Sequence, residues 1–362
     1  VKEGDVFAVC RIRKSQERLY NLGFFKDVKV DIEGTSEIDK ANLAIGIEED
    51  KTGLVSLGAG YSSVDKVVGT VQVTELNLFG RGQRLNVTYE FGALRQNYEI
   101  GFTEPYFFGK KLLFGVDAFN TTSLRSYGNS STAYKEGRSG GDIRVGKPIS
   151  DITTLNFTYA YEEVKVFEVD SDLTGQIPES RDTSSSLTSA ITRDSRDNVF
   201  DTTRGSKYSL SIKLAGGPLG GNINFYKPTL MTSKFIPTFY GFVFGLNSRI
   251  SYVKEFSPSK EIPIYERYFL GGADTVRGYD YGEIGPSEKG KIIFVSNIEH
   301  NFPIVKEKGH TMLSAAIFAD IGGAWKRSDD VTYEIGSAEN QLKTGVGFGL
   351  RIRPMPVLPI RI

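Results

Sequence analysis

The chain has 362 residues, 12% of them aromatic and 40 of them glycine, with 44 basic and 44 acidic side chains. This charge balance argues against a general nucleic-acid-binding protein, which would normally carry a basic surface. The single cysteine, Cys10, excludes an internal disulfide, and with only two histidines we expect no Cys/His metal site, no cofactor and no catalytic triad. His300 and His310 flank a predicted turn, where we expect hydrated surface side chains.

The first 50 residues predict a small α+β unit. Residues 13–22 have an amphipathic pattern that ends at Gly23, which is typical of a helix with a glycine C-cap. Alternating apolar residues then predict two strands, over 26–32 and 42–47. Because one helix and two strands rarely form a stable core, we expect the chain to begin inside a domain.

From Gly53 onward, apolar and polar side chains alternate with a period of two, most clearly over 342–353. We count fourteen such runs, most of 9 to 13 residues. Alternation allows either a soluble sandwich, with its apolar face inside, or a membrane barrel, with its apolar face in lipid. Run length favours the barrel, since a tilted strand needs roughly 9–11 residues to cross a bilayer.

The predicted connections differ on the two sides of the sheet. Those after even runs are short and carry glycine or proline, at 79–82, 106–110, 146–148, 235–237 and 302–303. Several after odd runs are long and polar, at 120–137, 163–182, 254–290 and 325–340. This asymmetry is typical of outer-membrane barrels, which have short periplasmic turns and long outer loops. The segment 254–290 then begins on the outer side.

The loop over 254–290 contains Arg277 among glycines and aromatic residues. Long loops without secondary structure are usually functional or disordered. The aromatic content argues against disorder, so we predict a loop folded back onto another part of the protein. Arg277 then has three interpretations: a solvated surface charge, a ligand-binding or catalytic group, or a structural ion pair.

Four motifs, in order along the chain, resemble one family. Residues 15–28 resemble the end of a polypeptide-transport-associated (POTRA) domain. Residues 77–83, 269–279 and 318–323 resemble the second hairpin, the loop motif and the late strand motif of the outer-membrane superfamily that includes BamA, TamA and FhaC. The resemblance implies an all-β, antiparallel transmembrane β-barrel of sixteen strands over residues 52–362, preceded over residues 1–51 by the C-terminal part of a POTRA domain.

The resemblance also implies that the loop folds into the barrel lumen, where the latch motif Val276, Arg277, Gly278 and Tyr279 meets acidic residues. The alternation of side chains along a strand predicts two acidic partners for Arg277. If Ile298 faces lipid, Glu299 faces the lumen, and if Ala319 faces lipid, Asp320 does the same. The late strand motif comprises Phe318, Asp320 and Gly322.

The function implied by the resemblance is non-enzymatic assembly and insertion of outer-membrane β-barrel proteins through a lateral gate between the first and last strands. The implied gate strand comprises Gly53, Leu54, Val55, Ser56, Leu57, Gly58, Ala59, Gly60 and Tyr61. Implied partners are nascent outer-membrane proteins, the lipid bilayer and periplasmic accessory lipoproteins, without nucleic acid. The implied location is the bacterial outer membrane, with the POTRA part in the periplasm.

Alternatives are a secretion transporter of the same superfamily, a passive porin and a barrel enzyme, although no cluster of acid, base and nucleophile is recognisable. Residues 357–362 only begin a fifteenth strand. Closing against the first strand needs a strand that returns, so we expect either that the protein continues beyond the given sequence or that its barrel is truncated at the C-terminal end.

Overall fold

The computed structural model describes residues 4–20, 24–37, 40–62, 66–92, 96–127, 130–199, 201–256, 261–287, 289–307, 310–352 and 360–361. Among these residues, no helix is long and apolar enough to cross a membrane. The N-terminal unit consists of α1 (Val9–Tyr20), β1 (Phe25–Gly34) and β2 (Ala41–Glu49). The helix therefore begins four residues before the predicted start, and the predicted cap Gly23 lies outside the described residues.

The predicted period-two runs form one large antiparallel sheet. Its strands, in chain order, are β3 (Gly53–Ser62), β4 (Lys66–Leu78), β5 (Gln83–Gly92), β6 (Gln96–Glu104), β7 (Leu113–Tyr127), β8 (Ser130–Ser150), β9 (Thr153–Phe167), β10 (Ser180–Asp194), β11 (Gly205–Ala215), β12 (Phe225–Pro237), β13 (Val243–Tyr252), β14 (Lys254–Glu255), β15 (Ile292–Glu307), β16 (His310–Trp325), β17 (Lys343–Ile352) and β18 (Ile360–Arg361). In the described part of the chain, fourteen of these are long and β14 and β18 have two residues each. The prediction of fourteen long strands is confirmed.

Strand order follows the chain almost throughout. Neighbours in sequence pair from β3 to β13, β13 pairs with β15, and the order continues through β16 and β17 to β18, while β14 pairs with β12. Short 3-10 helices lie at Phe107–Gly109, Ser171–Leu173, Gly217–Leu219, Phe239–Gly241, Ile264–Glu266 and Ser328–Asp330. The connection between β13 and β15, residues 253–291, is called the inner loop below.

Several predicted connections are wrong because strands continue through them. The predicted loop 120–137 is mostly strand, since β7 extends to Tyr127 and β8 begins at Ser130. The predicted turn 146–148 lies inside β8, and 302–303 lies inside β15. Outside the apolar band a strand can be polar on both faces, so alternation disappears from the sequence at 120–137. Pro148 and Pro303 lie at register shifts of the pairing, where a strand can hold a proline.

The connection after β10, the eighth run, is also longer than predicted, because connections after even runs were expected to be short. It spans residues 195–204, where the Asp197 side chain accepts hydrogen bonds from three main-chain amides, those of Asn198, Thr203 and Arg204. Farther along, Asp201 accepts a 3.0 Å hydrogen bond from the Thr311 amide of β16. The segment thus reaches strands far from its own in the sheet.

The sheet curves around the inner loop, because strands far apart in the sheet all contact that loop. Lys289 donates a hydrogen bond to Tyr134 of β8, and Tyr265 donates one to Asp182 of β10. The side chain of Arg277 bonds to Asp320 of β16. The sheet order places β8 seven positions from β16. We call the space on this concave face the lumen.

The opposite, convex face carries exposed apolar side chains. Ile317 of β16 is 60% exposed, and Val346 and Phe348 of β17 are 82% and 87% exposed. These residues alternate with the side chains that face the inner loop. A soluble sandwich would bury this apolar face, whereas a membrane barrel directs it to lipid. Of the two architectures that alternation allowed, the barrel fits.

Candidate functional site

The inner loop is a narrow double-stranded segment rather than an open coil. Its ends are joined where the Val253 amide donates to the Lys291 carbonyl at 2.8 Å. Tyr268 and Gly290 exchange hydrogen bonds of 2.7 and 2.6 Å, and Leu270 and Ile284 exchange bonds of 3.1 and 2.9 Å. These contacts fix the direction in which residues 272–280, the tip of the loop, enter the lumen.

The tip is closed by its own hydrogen bonds. The Gly272 amide donates to the Tyr279 carbonyl at 2.8 Å, and the Thr275 hydroxyl donates to the Gly271 carbonyl at 2.8 Å. Gly271 has a φ of +119°, and a Cβ there would overlap the carbonyl oxygen of Asp280, so a side chain would not fit. The backbone is thereby set before Arg277 makes any contact.

Arg277 binds two carboxylates on the lumen wall. Its Nε and Nη2 each donate to Asp320 at 2.6 Å, and its main-chain amide donates to the same carboxylate at 3.0 Å. Its Nη1 donates to Glu299 of β15 at 2.6 Å. A guanidinium suits this position because its fixed donors can serve two carboxylates at once.

The ion pairs are largely shielded from water. The side chains of Asp320, Glu299 and Arg277 are 0%, 14% and 21% exposed. Burial by itself would lower the pKa of Arg277, but the hydrogen bonds to Asp320 and Glu299 outweigh it and raise that pKa. The guanidinium centre also lies 3.5 Å from the ring centroid of Phe318, as in a cation–π contact.

Neighbouring side chains hold the two carboxylates in place. The Asn297 amide donates to Asp320 at 2.8 Å and to the Thr275 carbonyl at 2.6 Å, so it joins β15, β16 and the loop tip. Arg351 of β17 forms an ion pair with Glu299. The site therefore connects the loop tip to three adjacent strands.

Apolar packing and two glycines of β17 complete the site. Val276 is fully buried with Leu270, Ile284, Ile293 and Val295. On β17, a Cβ at Gly345 would overlap the carbonyl oxygen of Arg277, and one at Gly347 would lie 2.6 Å from the Phe318 ring. Inward-facing glycines of β17 thus leave the space that the loop tip and Phe318 occupy.

The structure brings together most of the residues named from the sequence. Arg277, Glu299, Phe318 and Asp320 are in direct contact, and a Cβ at Gly322 would lie 2.9 Å from Val276. The named gate strand lies elsewhere, as β3, which pairs with β4. Among the described residues, β3 has a partner on that one side.

Sequence reasoning missed three members of the site. Asn297, Gly345 and Arg351 all lie on the lumen face, at alternate positions with the outward residues of β15 and β17. Alternation places all three on this face, but their contacts depend on strand register. Asn297 and Gly345 meet the loop tip, and Arg351 meets Glu299. His300 also differs from expectation: its ring packs against Phe242 and Phe302, with centroid distances of 5.9 and 4.7 Å.

A second group of charged residues was not anticipated. Glu266, in the short helix Ile264–Glu266, is 4% exposed and lies 2.9 Å from the ammonium groups of both Lys213 and Lys227. Burial by itself would raise the pKa of Glu266, but the two lysines lower it to about 2. The inner loop therefore meets the wall through an anion here and through a cation at Arg277.

Comparison with known proteins places this geometry in a family. A family model described as the Omp85 superfamily domain matches residues 77–362. A POTRA model, described as a surface antigen variable number repeat, matches residues 1–50. The first match covers most of the chain and includes the whole inner loop and its contacts on β15, β16 and β17.

Similar proteins include the outer membrane protein assembly factor BamA of Nitratidesulfovibrio vulgaris, 26% identical over 363 residues, covering 98% of this chain and 44% of that protein. BamA of Neisseria meningitidis serogroup B is 26% identical over 363 residues, covering 93% of this chain and 45% of that protein. The chain thus spans about half the length of these curated relatives.

Solved structures share the fold. The structure of BamA from Haemophilus ducreyi lacking POTRA domains 1–3 matches with a TM-score of 0.76 and 19% identity, covering 100% of this chain and 75% of that one. CdiB from Acinetobacter baumannii matches with a TM-score of 0.59 and 15% identity, covering 98% of this chain and 64% of that one. The expected fold, a β-barrel with a POTRA part, is confirmed.

Proposed function

The chain belongs to the Omp85 superfamily, and from this premise we propose that it assembles β-barrel proteins and inserts them into the outer membrane. Its barrel lies in the bacterial outer membrane, with the POTRA part in the periplasm. On this proposal, residues 1–51 belong to the POTRA domain and residues 52–362 to the barrel. The partners are nascent outer-membrane proteins, the lipid bilayer and periplasmic accessory lipoproteins, and the protein acts without catalytic groups.

The observation that carries the proposal is that the inner loop lies in the lumen with its apolar side chains buried against the wall. Its apolar residues pack on several sectors of the wall: Leu270 and Val276 near β15, Ile264 beside β8 and β9, and Ile262 beside β11 and β12. A passive porin needs an open, polar lumen. A lumen occupied over the β8–β17 sector by a loop held through ion pairs favours a substrate path along the edge of the sheet.

The first strand is the edge that suits this path. Val55 and Leu57 of β3 are 65% and 78% exposed, and β3 is paired with β4. Gly58 and Gly60 leave this strand with little side-chain packing. A nascent barrel protein can add a strand to such an edge by β-augmentation, and main-chain hydrogen bonds supply the affinity without sequence specificity. Pairing of β3 with the last strand closes this gate.

The second candidate is a secretion transporter of the same superfamily, in which a polypeptide passes through the lumen. Passage through the lumen requires the inner loop to leave its seat, whereas insertion through the edge does not. The two functions therefore differ in which contact must open.

The test compares two disulfide locks in a Cys10→Ser background, which removes the single native cysteine. The gate lock joins Leu57→Cys to a cysteine at the facing position of the last strand. The loop lock joins Val276→Cys to Gly322→Cys, positions whose side chains would be adjacent. Each variant is reconstituted in lipid vesicles, and insertion of a barrel substrate is followed as its protease-protected fraction, before and after reduction.

We expect the oxidised gate lock to stop insertion, reduction to restore it, and the loop lock to insert normally. Leu57→Cys alone is the matched control for the substitution itself. The reverse result, a blocked loop lock and an active gate lock, would assign the lumen path of a transporter. Normal insertion by both oxidised locks would reject the gate.

A further inference from the structure

The inner loop is held at a second place by a buried carboxylate, Glu266. Its side chain accepts hydrogen bonds of 2.9 Å from Lys213 of β11 and from Lys227 of β12. Lys227 also donates to the main-chain carbonyl of Glu266 at 3.1 Å, so it binds both the side chain and the backbone of the loop. Two strands thus bind a single residue of the loop.

The charges around Glu266 continue along the lumen wall. Lys213 lies 3.8 Å from Glu162 of β9, which pairs with Arg138 of β8 at 3.1 Å. Arg138 also binds Glu136 at 2.7 Å. Acidic and basic groups alternate along this chain of contacts. Each buried charge therefore has an opposite charge beside it, which is the condition for burying ions at tolerable free energy.

Aromatic residues on both sides of Glu266 strengthen the same contact. The Tyr265 hydroxyl donates to Asp182 of β10 at 3.1 Å, and its ring lies 5.4 Å from the Arg138 guanidinium. The Tyr268 ring lies 4.6 Å from the Lys227 ammonium, and its hydroxyl bonds to Ser251 of β13. Residues 262–268 are thus attached to β8, β10, β11, β12 and β13.

This sector of the wall differs from the one that holds the loop tip. Arg277 contacts β15 and β16 and, through Glu299, Arg351 of β17. The contacts of residues 262–268 begin at β13 and extend to β8, seven strands from β16 in the sheet. The polarity is also reversed, because a cation of the loop meets acidic groups at one place and an anion meets basic groups at the other.

We infer that Glu266 is a positioning residue that anchors residues 262–268 of the inner loop to the β8–β13 wall, independently of the Arg277 contact with β15–β17. The loop then connects two sectors of the barrel wall, β8–β13 and β15–β17. Release of Arg277 frees the tip, residues 272–280, while residues 262–268 remain docked. That this connection affects gate opening rests on the proposed function. The docking of residues 262–268 and of the tip can each be measured without substrate.

Hydrogen–deuterium exchange, read by mass spectrometry on the whole protein in lipid nanodiscs, distinguishes the two halves. Amides of Glu266 and Tyr268 report on the first half through bonds of 3.0 and 2.7 Å, and the Gly272 amide reports on the tip through a bond of 2.8 Å. We expect Glu266→Gln to speed exchange in peptides covering 262–268 about tenfold or more, because two buried ammonium groups lose their counter-charge. Exchange in the barrel strands stays unchanged.

Glu163→Gln is the matched control. Glu163 also binds two cations, Arg181 at 2.6 Å and Lys165 at 3.0 Å, but these side chains are 70% and 46% exposed. An exposed pair contributes little to stability, so exchange in the inner loop should change less than about twofold. Arg277→Ala provides the reciprocal case, with faster exchange at the tip and protected amides over 262–268.

Adding Lys213→Met and Lys227→Met to Glu266→Gln removes the unpaired charges while keeping side chains of similar length. We expect this triple variant to recover protection over 262–268, and it also provides a folded protein if Glu266→Gln alone folds poorly. Unchanged exchange over 262–268 in Glu266→Gln would overturn the inference. So would equal loosening of both halves by Glu266→Gln and by Arg277→Ala, because it would indicate one anchor. Loosening without loss of substrate insertion would keep the anchor and reject only its link to assembly.

Discussion

Asp320 accepts hydrogen bonds from both the main-chain amide and the guanidinium of Arg277, at 3.0 Å and at 2.6 Å to two of its nitrogens. One carboxylate therefore fixes the backbone of the loop tip and the direction of its side chain together. Because the Asp320 side chain is fully buried, these donors and Asn297 supply the hydrogen bonds that water would otherwise make. This dependence makes the stability of the barrel sensitive to residue 277.

Arg277→Ala should lower the free energy of unfolding by about 3–5 kcal/mol, since it leaves a buried carboxylate without its cation. The free energy of unfolding of Arg277→Lys should lie between those of the native protein and Arg277→Ala. One ammonium group keeps the positive charge but cannot reproduce the donors that reach Asp320 and Glu299. The measurement is urea unfolding in detergent micelles. Arg181→Ala, which removes an exposed partner of Glu163, should change stability by less than about 1 kcal/mol. Equal effects of the Arg277 and Arg181 substitutions would contradict the buried role of Arg277.

Gly345→Ala should displace the loop tip even though it leaves every charged group intact. A Cβ at this position would overlap the carbonyl oxygen of Arg277, so either β17 or the tip must move, at about 1–3 kcal/mol. Exchange of the tip amides should rise with the loss of stability. Gly245→Ala is the control, because a Cβ there would meet Phe235 at an ordinary 3.5 Å. A neutral Gly345→Ala would show that the tip is not packed against β17.

Much of the fold could be predicted because alternation is a local property. Each residue of a strand faces the side opposite to its neighbours, so Ile317 and Asp320 separate onto different faces without knowledge of strand register. The same reasoning places Glu299 on the lumen side, where it meets the inner loop. The aromatic content of that loop likewise indicated burial before any partner was known.

The rest depended on contacts that the local pattern does not contain. Glu266 meets Lys213 and Lys227, which are 53 and 39 residues away, only because the sheet curves and the register aligns β11 with β12. The polar extensions of β7 and β8 have no alternation to reveal them, although the Arg125–Glu136 pair joins these strands there. Loop boundaries at 120–137 were therefore predicted incorrectly.

Phe318→Leu should lower the free energy of unfolding by weakening the packing against Arg277, without removing a charge. The Phe318 ring lies 3.5 Å from the guanidinium of Arg277, and the cation–π contact is worth about 0.5–2 kcal/mol. Phe318→Tyr keeps the ring face and should retain most of this stabilisation. Phe348→Leu on the neighbouring strand tests the loss of an aromatic ring alone, since Phe348 is 87% exposed on the convex face. Unfolding free energies that are equal for the two leucine variants would rule out the stacking contribution.

Stability should rise between pH 8 and pH 9.5 through Lys289 of the inner loop. Lys289 is 4% exposed, donates to the Tyr134 hydroxyl at 3.0 Å and lies 4.6 Å from the Phe269 ring centroid. Burial lowers its pKa to about 8 from an ordinary value of 10.5, although the charge of nearby Glu136 opposes the change. Above pH 8 the folded protein releases this proton while the unfolded chain keeps it, so stability increases with pH by about 2 kcal/mol over this range.

Below pH 8 Lys289 is charged in both states, and the stabilisation is lost as pH falls through that value. The upper limit of pH 9.5 keeps the measurement below the titration of exposed tyrosines, near pH 10. Urea unfolding at several pH values should show the rise in the native protein and a flat profile in Lys289→Met, which is also more stable at pH 7 because no charge is buried. Parallel profiles for the two proteins would assign the pH dependence to other groups, and a flat native profile would mean that water reaches the Lys289 ammonium.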